Sequence, residues 1–491
     1  MTDLTSSFAG HFTFGYDALS RRTSLNRPNA VNTTYAYDSV SRLLSVLHQL
    51  GSTTIDGASY GVDAAGNRVS KTNYIDGSSE NYAYDALYQL TQVIHNGSTS
   101  ENYTYDGVGN RLSSVGVPSY TVNSSNELTS TSAATFTYDS NGNTLTKTDS
   151  TGTTSYAWDF ENRLVSVTLP GTGGSVTFKY DPFGRRIQKG SSSGTINFAY
   201  DGANAVEELN TAGTVTAQYA QGSGIDEPLA TNRGGTPAFY EADGLGSVTS
   251  LTNGAGSALA AYTTDAFGKP VSTADSTVNN PFRYTARDYD SETGLYYYRA
   301  RYYDPSIGRF ISEDPIGFLG GVNAYTYVSN DPVNKLDPFG EATCVFYVAR
   351  GILVCYPWSS ANGGILRIPV ASGNNGDNSG CKNNSKCQDQ ANRGPIPQGW
   401  WKWTNDSTSK PNGRVLEPLT PNDPRFPAGG TLTNTFGRGL FRSHSCRNAF
   451  GPSLNPPFCS AGCVTGSADD IKQLNKLLDA EPGSVLSVVP R

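Results

Sequence analysis

The sequence predicts a mainly β protein made of an acidic repeat region and a smaller, cysteine-rich C-terminal domain. Three observations support this prediction. Tyr-Asp or a close variant recurs between residues 16 and 201, only 16% of the 491 residues are charged, and all seven cysteines lie beyond residue 340. Abundant Tyr, Thr and Gly favour short strands joined by tight turns. A chain of this length is expected to form two to four domains.

The repeats define the first region. Their aromatic residues are Tyr16, Tyr37, Tyr84, Tyr105, Tyr138, Trp158, Tyr180 and Tyr200, mostly 20 to 22 residues apart. Each motif follows an alternating run such as SVTFKYD, and several precede turns such as DAAGNRVSK. Alternation with a period of two, followed by Asx or Gly turns, predicts β-hairpins. The regular spacing predicts stacked units that share one continuous sheet.

The following residues make a family resemblance specific. The stretches FYEADGLGSVTSLTN, PFRYTARDYDSETGLYYYRARYYDPSIGRFISEDPIG and NAYTYVSNDPVNKLDPFG resemble the Rhs-associated core. The repeats before them resemble the YD repeats of Rhs proteins and of toxin-complex C subunits. This resemblance covers roughly residues 1–340. It implies a β-sheet shell that coils as a cocoon around a variable C-terminal toxin, and a tract this short is expected to form a partial cocoon.

Three domains are therefore expected: YD repeats over 1–225, an Rhs-associated core with a self-cleavage site over 226–341, and a toxin domain over 342–491. The charge changes near the second boundary. Residues 341–491 carry 15 Lys and Arg against 10 Asp and Glu, whereas residues 1–340 carry 21 against 33. Compositional drift is the alternative to a junction between two parts of different origin.

Two Asp-Pro turns in the core are candidate acid–base groups. Asp314 lies in SEDPIG and Asp337 in LDPFG, although Asp-Pro is also common in ordinary loops because Pro fixes a turn. The resemblance to Rhs cores implies self-cleavage by an aspartyl pair with a nearby arginine, here Arg301, and a cut between Glu341 and Ala342. That family usually has an apolar residue at the position of Glu341, so the charge is expected to slow or block the cut.

The segment FRSHSCRNAFGPSLNPPFCSAGC holds His444, the only histidine after His95. Its residues leave four explanations open: disulfide partners, a zinc site, a surface histidine, or a pair in which Cys463 attacks as thiolate and His444 takes its proton. The spacing fits no common zinc pattern, so no metal is predicted. A cysteine after a Gly turn favours the pair, because backbone N–H groups around Ser460 and Gly462 can form an oxyanion hole.

The order of a His, about twenty residues, Ser-x-Gly-Cys, a helix and a strand resembles the L,D-transpeptidases, and most closely the peptidoglycan effectors of type VI secretion. The stretch VASGNNGDNSGCKNNSKCQDQANRGPIPQGWWKW resembles their Ser-Gly and Gly-Pro-Ile-Pro blocks, so the resemblance covers about 350–490. It implies a small β-rich domain with one C-terminal helix, expected over SADDIKQLNKLLDAEPG, and no cofactor. Thr465 stands where many members have an Arg that seats a substrate carboxylate, and Arg442 is the candidate for that role.

If Cys463 is the nucleophile, six cysteines remain for disulfides. The pairs that are near in sequence are Cys344–Cys355, Cys381–Cys387 and Cys446–Cys459, among fifteen possible connectivities. Disulfides favour an oxidising compartment. The N-terminus MTDLTSSFAGHFTFG lacks a signal-peptide pattern, and the longest apolar stretch, CVFYVARGILVCY, is too short to span a bilayer. Secretion independent of a signal peptide is therefore expected.

Together the two resemblances imply an antibacterial toxin that modifies peptidoglycan stem peptides in the target-cell periplasm. The expected partners are a cognate immunity protein and type VI secretion spike proteins, with no nucleic acid and no membrane span. A non-enzymatic adhesion protein and a nuclease toxin are the alternatives. An adhesive domain has no use for an unpaired Cys463, and a nuclease is disfavoured because the tail has one His and no evident acidic metal cluster.

Overall fold

The computed structural model describes residues 2–273, 279–317 and 321–341, together with the backbone of eight strands beyond residue 342. The chain divides into two compact units, Met1–Pro315 with Asn323–Gly340, and Ile316–Val322 with Glu341–Arg491. Strands dominate both, and short 3-10 helices lie at Tyr284–Ala286 and Val328–Asn330. The predicted mainly β fold is confirmed, whereas the helix expected over SADDIKQLNKLLDAEPG lies outside the described residues.

In the described part of the first unit, a sheet of eleven antiparallel strands is followed by a sheet of sixteen, each in sequence order. The first contains β1 Asp3–Ser6, β2 Gly10–Tyr16, β3 Arg22–Asn26, β4 Val31–Tyr37, β5 Leu43–Leu50, β6 Thr53–Val62, β7 Arg68–Asn73, β8 Ser79–Tyr84, β9 Leu90–His95, β10 Ser98–Tyr105 and β11 Arg111–Ser114. The second contains β12 Tyr120–Val122, β13 Leu128–Thr131, β14 Ala134–Tyr138, β15 Thr144–Asp149, β16 Gly152–Trp158, β17 Leu164–Thr168, β18 Ser175–Tyr180, β19 Arg186–Ser191, β20 Gly194–Asp201, β21 Asn204–Leu209, β22 Val215–Gln221, β23 Pro228–Arg233, β24 Thr236–Ala242, β25 Val248–Asn253, β26 Ala258–Thr264 and β27 Pro270–Thr273. The second sheet continues past residue 225, and the domain boundary there stays a prediction.

The recurring Tyr-Asp motif forms a β-bulge followed by an Asx turn. In the first repeat the strand register shifts between Gly15 and Tyr16, one residue before the turn begins. The Asp17 carboxylate then accepts hydrogen bonds from the backbone N–H of Leu19 at 2.9 Å and of Arg21 at 3.0 Å. It also pairs with the Arg21 Nε at 2.6 Å. The aspartate is therefore required because one carboxylate satisfies the donors of a whole turn.

Several arginines at the ends of these turns also join one repeat to the next. The Nη1 of Arg21 donates to the carbonyl of Asp38 at 2.9 Å, and the Nη1 of Arg42 donates to the carbonyl of Asp63 at 2.6 Å. Each turn therefore satisfies a backbone acceptor of its neighbour, which fixes the stacking of successive hairpins.

A tyrosine-rich segment, residues 279–317 and 321–340, follows the second sheet. It contains a four-stranded antiparallel sheet with β28 Asp288–Asp290, β29 Leu295–Tyr298, β30 Arg301–Asp304 and β31 Arg309–Phe310. Seven of its residues form one buried cluster, Tyr284, Tyr296, Tyr298, Tyr303, Phe310, Tyr327 and Val328. The segment binds the turns of the repeats: Tyr325 donates to the carbonyl of Gly142 at 2.7 Å, and Asn330 donates to that of Gly109 at 2.8 Å. These contacts fix the segment that carries Arg301.

The second unit contains a mixed sheet of eight described strands. They are β32 Thr343–Tyr347, β33 Ile352–Tyr356, β34 Leu366–Pro369, β35 Gly399–Asn405, β36 Arg414–Pro418, β37 Phe441–Ser445, β38 Val464–Gly466 and β39 Val485–Val489. Their spatial order is β34-β33-β32-β39-β35-β36-β37-β38. The pairs β32–β39 and β37–β38 are parallel. None of the described helical turns in the chain is long and apolar enough to cross a membrane.

Candidate functional site

Arg301, Asp314 and Asp337, which the sequence singled out, converge in the tyrosine-rich segment. Arg301 begins β30, and its Nη2 lies 2.9 Å from Asp314 Oδ2 and 3.2 Å from Asp337 Oδ2. The other terminal nitrogen, Nη1, donates to the carbonyl of Ala324 at 3.0 Å. That carbonyl also accepts the backbone N–H of Asp314 at 3.0 Å, so one carbonyl fixes both the arginine and the aspartate.

The surroundings of this pair exclude most water. The side chains of Arg301, Asp314 and Asp337 are 3%, 4% and 13% exposed. The guanidinium carbon of Arg301 lies 3.6 Å from the centroid of the Phe310 ring, so its flat face is covered by an aromatic ring. Charges in such a site interact more strongly than in water, and each depends on its partners for stabilisation.

Other Asp-Pro turns in the same segment have different partners. Asp304 pairs with Lys147 at 3.1 Å, and Asp331 pairs with Lys335 at 3.3 Å. Both carboxylates neutralise a lysine and stabilise structure. The sharing of one arginine nitrogen therefore distinguishes Asp314 and Asp337 from these aspartates.

The residues just before the expected cut lie against the connection between β29 and β30. Arg299, which the sequence analysis did not single out, donates through Nη1 to the carbonyl of Pro338. The backbone N–H of Ala300 donates to the carbonyl of Phe339 at 3.3 Å. Its signal in the sequence is the arrangement Arg-Ala-Arg at residues 299–301, in which the family resemblance assigns a role only to the second arginine. Glu341 is partly buried, and Ala342 lies outside the described residues.

In the second unit, β37 contains Arg442 and His444. Its parallel neighbour β38 starts at Val464, the residue that follows Cys463 in the chain. The register pairs Ser443 with Val464 and His444 with Thr465. Arg442 and His444 occupy alternate positions of one strand and so lie on the same face of the sheet.

The structure describes only some of the remaining predicted site residues of the tail. Cys463, Ser460 and Gly462, and the bridge candidates Cys381, Cys387, Cys446 and Cys459, lie outside the described residues. Cys344 and Cys355 lie in β32 and β33, and the antiparallel register makes them Cα partners. Within the ranges that the structure describes, no group of three or more His, Cys, Asp or Glu is arranged to hold a metal ion.

Among solved structures, the crystal structure of TcdB2-TccC3-Cdc42 matches with a TM-score of 0.58 and 22% identity, over 69% of this chain and 20% of that chain. At this identity the match shows the fold alone. It agrees with the long antiparallel sheets of the first unit.

Two named relatives match parts of the sequence. The tRNA3(Ser)-specific nuclease WapA of Bacillus spizizenii is 36% identical over 274 residues, covering 52% of this chain and 12% of the nuclease. Toxin protein Tse5 of Pseudomonas aeruginosa is 48% identical over 60 residues, covering 12% of this chain and 5% of the toxin. The chain thus spans a small fraction of the length of either relative.

Two family models match separate stretches of the chain. The Tlde1 domain matches residues 370–489, which lie in the tail. The Teneurin YD-shell matches residues 6–333, which include the repeats, all of the two long sheets except most of β1, and most of the tyrosine-rich segment. With about two thirds of its length matched, the chain belongs to the Teneurin YD-shell family.

Proposed function

We propose that the chain is a YD-repeat polymorphic toxin whose tail, residues 342–491, is a cysteine enzyme acting on peptidoglycan stem peptides. The Tlde1 domain match over 370–489 supports an effector domain in the segment where the sequence resembles L,D-transpeptidases. The toxin name of Tse5 and the YD-shell match agree with a polymorphic toxin. A secreted effector of this class acts with a cognate immunity protein in its producer and, we infer, with type VI secretion spike proteins.

The observation that carries this proposal is the parallel pairing of β37 with β38. His444 lies opposite Thr465, and Cys463 is joined directly to Val464 at the start of β38. The strand that carries His444 is therefore paired with the strand that follows Cys463 in the sequence. This pairing supports the proposal, because a nucleophile and its base must lie within hydrogen-bond reach of each other.

The proposed chemistry is acyl transfer. His444 takes the thiol proton, and Cys463 Sγ attacks the carbonyl carbon of the third stem-peptide residue. Backbone N–H groups at Ser460 and Gly462 stabilise the oxyanion. The bond to the terminal D-Ala breaks, and its nitrogen leaves with the proton from His444. Water or another amine then attacks the thioester and regenerates the thiol, giving carboxypeptidase or exchange products, while Arg442 seats the substrate carboxylate.

Release of the tail is proposed to occur by hydrolysis of the Glu341–Ala342 bond. Asp314 and Asp337 contact the same guanidinium nitrogen, and we propose that one of them holds a proton, because two neighbouring carboxylates do not both ionise easily. The ionised carboxylate takes a proton from water, whose oxygen attacks the carbonyl carbon of Glu341. The protonated carboxyl gives its proton to the departing nitrogen of Ala342. The products are a new main-chain carboxylate at Glu341 and a new main-chain amine at Ala342.

A nuclease tail is the second candidate, because the named relative WapA is a tRNA nuclease. The match to WapA covers 274 residues, which is more than the whole segment 342–491 contains. The match therefore includes residues outside the tail, and the nuclease name is not evidence on the tail alone. The two candidates differ in compartment. A peptidoglycan enzyme acts in the periplasm and a tRNA nuclease in the cytosol.

The test is to express residues 342–491 either in the periplasm or in the cytosol of a susceptible bacterium. We expect toxicity only from the periplasmic form, and muropeptides whose tetrapeptides are shortened or carry an exchanged terminal residue. Cys463→Ala should abolish toxicity, because no other group forms the acyl-enzyme. His444→Ala should lower the rate on the order of 10² to 10⁴-fold, as expected for loss of a general base. Full toxicity of Cys463→Ala, or unchanged muropeptides in dying cells, would rule the enzyme out.

A further inference from the structure

We propose that Arg299 is a positioning residue for the self-cleavage reaction, because it holds the backbone between Asp337 and the expected cut. This inference rests on the proposed self-cleavage at Glu341. Arg299 lies in the two-residue connection between β29 and β30, with a φ of 59°. Its Nη1 donates to the carbonyl of Pro338, so its role in the reaction is exerted through the backbone next to Asp337.

Asp337 belongs to the same short segment as the bond to be cut. The scissile carbonyl of Glu341 follows Asp337 by four residues. The distance between the carboxylate and that carbonyl therefore depends on the conformations of Pro338, Phe339 and Gly340. A reacting group that is displaced by about 1 Å can lose a factor on the order of 10² in rate.

Residues 299 and 300 hold two successive carbonyls of this segment. Arg299 Nη1 donates to the carbonyl of Pro338, and the backbone N–H of Ala300 donates to that of Phe339 at 3.3 Å. The guanidinium carbon of Arg299 also lies 5.4 Å from the ring centroid of Phe339. Arg301, the next residue, binds the carboxylate of Asp337. The connection thus contacts the segment at several consecutive positions.

Gly340 completes this contact. Its φ is 69°, and a Cβ built there would lie only 2.9 Å from the carbonyl oxygen of Tyr298. Glycine therefore allows the segment to approach the end of β29 more closely than any other residue would. A side chain at this position would push the residues before the cut away from Arg299.

The guanidinium of Arg299 is also held by residues other than Pro338. Its Nη2 lies 2.7 Å from Asp226 Oδ1 and its Nη1 lies 3.1 Å from Asp226 Oδ2, a two-point contact. Asp226 is held in turn by Arg287 Nη1 at 2.5 Å, and the carbonyl of Ala203 accepts from Arg299 Nη2 at 3.2 Å. The side chain of Arg299 is 15% exposed. A planar guanidinium fixed on one side can place its remaining donor accurately, which a lysine cannot reproduce.

The first experiment follows cleavage of the full chain made by cell-free synthesis, in the wild type or, if Glu341 blocks the cut, in Glu341→Leu. Arg299→Ala should slow conversion to two fragments on the order of 10²-fold. Arg299→Lys should recover part of that loss, and millimolar guanidinium should recover part of it in Arg299→Ala. The matched control is Arg185→Ala, which removes an arginine that also binds one aspartate, Asp181, and one backbone carbonyl. Its rate should be unchanged.

The pH profile separates positioning from a general loss of structure. Arg299→Ala should lower the rate at every pH without moving the profile, because Arg299 acts on the backbone carbonyl of Pro338. Arg301→Lys should move the profile, because Arg301 touches both reacting carboxylates. An Arg299→Ala rate equal to the wild type, or a loss matched by Arg185→Ala, would overturn the proposal.

Hydrogen exchange tests the contact apart from the chemistry. In the full-length Asp314→Asn chain, which is expected to stay uncut, Arg299→Ala should speed amide exchange in residues 339–341, and Arg185→Ala should not. Unchanged exchange there refutes the holding role even if cleavage slows. If neither the wild type nor Glu341→Leu is ever cut, self-cleavage and the role of Arg299 in it both fail, while faster exchange would still establish the contact.

Discussion

At the scale of single residues, contact with Arg301 distinguishes Asp314 and Asp337 from the other Asp-Pro aspartates of the tyrosine-rich segment. A buried carboxylate is stable only while its partners remain in place. Asp314 and Asp337 both contact Arg301, whereas Asp304 and Asp331 each pair with a lysine. The shared cation is the feature expected of an acid–base pair, in which one group keeps a proton and the other does not.

Replacing either member of this pair should stop the cut. Asp314→Asn and Asp337→Asn should each leave a single chain of 52.3 kDa on a denaturing gel, under conditions in which the parent yields two fragments. An amide can neither activate water as a base nor donate the acid proton to the leaving nitrogen. The matched control is Asp331→Asn, at an Asp-Pro turn outside this pair, which should still be cut.

The variant Glu341→Leu tests the aspartyl pair if the wild-type chain is not cut. If the wild type stays whole, Glu341→Leu should restore the cut by removing a charge beside the pair. An intact Glu341→Leu chain would mean that the aspartyl pair has no proteolytic role.

The sequence could identify this site only in part. The motif resemblance selected Arg301, Asp314 and Asp337, and the structure brings the three together. Residue types and spacing alone could not identify the aspartyl pair, because Asp304 and Asp331 also precede Pro within the same forty residues. Asp226 and Arg299 could not be linked by spacing either, since their contact joins residues 73 positions apart.

At the scale of elements, the Tyr-Asp motif explains why the hairpin prediction succeeded. The bulge at the aromatic residue and the Asx turn at the aspartate are local features. They recur, for example, at Tyr180 and Asp181, where the carboxylate accepts from the N–H of Phe183 at 2.9 Å. Local hydrogen bonds of this kind leave a clear pattern in sequence.

The hairpin of β32 and β33 carries a prediction of its own. Cys344 and Cys355 are directly opposed, and opposed Cα atoms in antiparallel strands are about 4.5–5.5 Å apart, within the range for a disulfide. We expect one free thiol in the denatured, oxidised wild type, two in Cys344→Ser, and one again in Cys344→Ser/Cys355→Ser. Loss of the bridge should lower the free energy of unfolding by about 2–4 kcal/mol.

Thiol titration followed by peptide mapping distinguishes this pairing from the others. The thiol released by Cys344→Ser must map to Cys355. Release of a different cysteine would refute the pairing, and seven free thiols in a fully active wild type would remove the argument for an oxidising compartment.

At the scale of the whole first unit, contacts between distant strands join its two long sheets. Phe12 of β2 packs against Phe239 of β24, with ring centroids 6.1 Å apart. Arg27 and His48 both pair with the buried Glu241, at 2.8 and 3.1 Å. These residues lie about 190 or more positions apart in the chain. Repeat spacing predicts neighbouring strands and contains no information on such pairings, so the seam between the sheets could not be predicted.

A pair of acidic residues lies at another point of this seam. Glu101 in β10 accepts the backbone N–H of Ala266, in the turn between β26 and β27, at 3.0 Å, and it also accepts from the hydroxyl of Tyr103. Burial raises the pKa of Glu101, and the negative charge of Asp265 raises it further. Burial likewise raises the pKa of Asp265, against the effect of nearby Arg111.

This pair should make the first unit less stable as the pH rises. An unfolded Glu titrates near pH about 4.3, so between that pH and the raised pKa of folded Glu101 the folded chain binds more protons than the unfolded chain. The free energy of unfolding then decreases with pH. We expect Glu101→Gln to remove part of this decrease in thermal denaturation of the full chain from about pH 5 to about pH 8. Glu161→Gln, at a glutamate that is 53% exposed beside Arg163, is the control and should follow the wild type. A Glu101→Gln curve parallel to the wild type throughout would show that the pair does not couple protonation to folding.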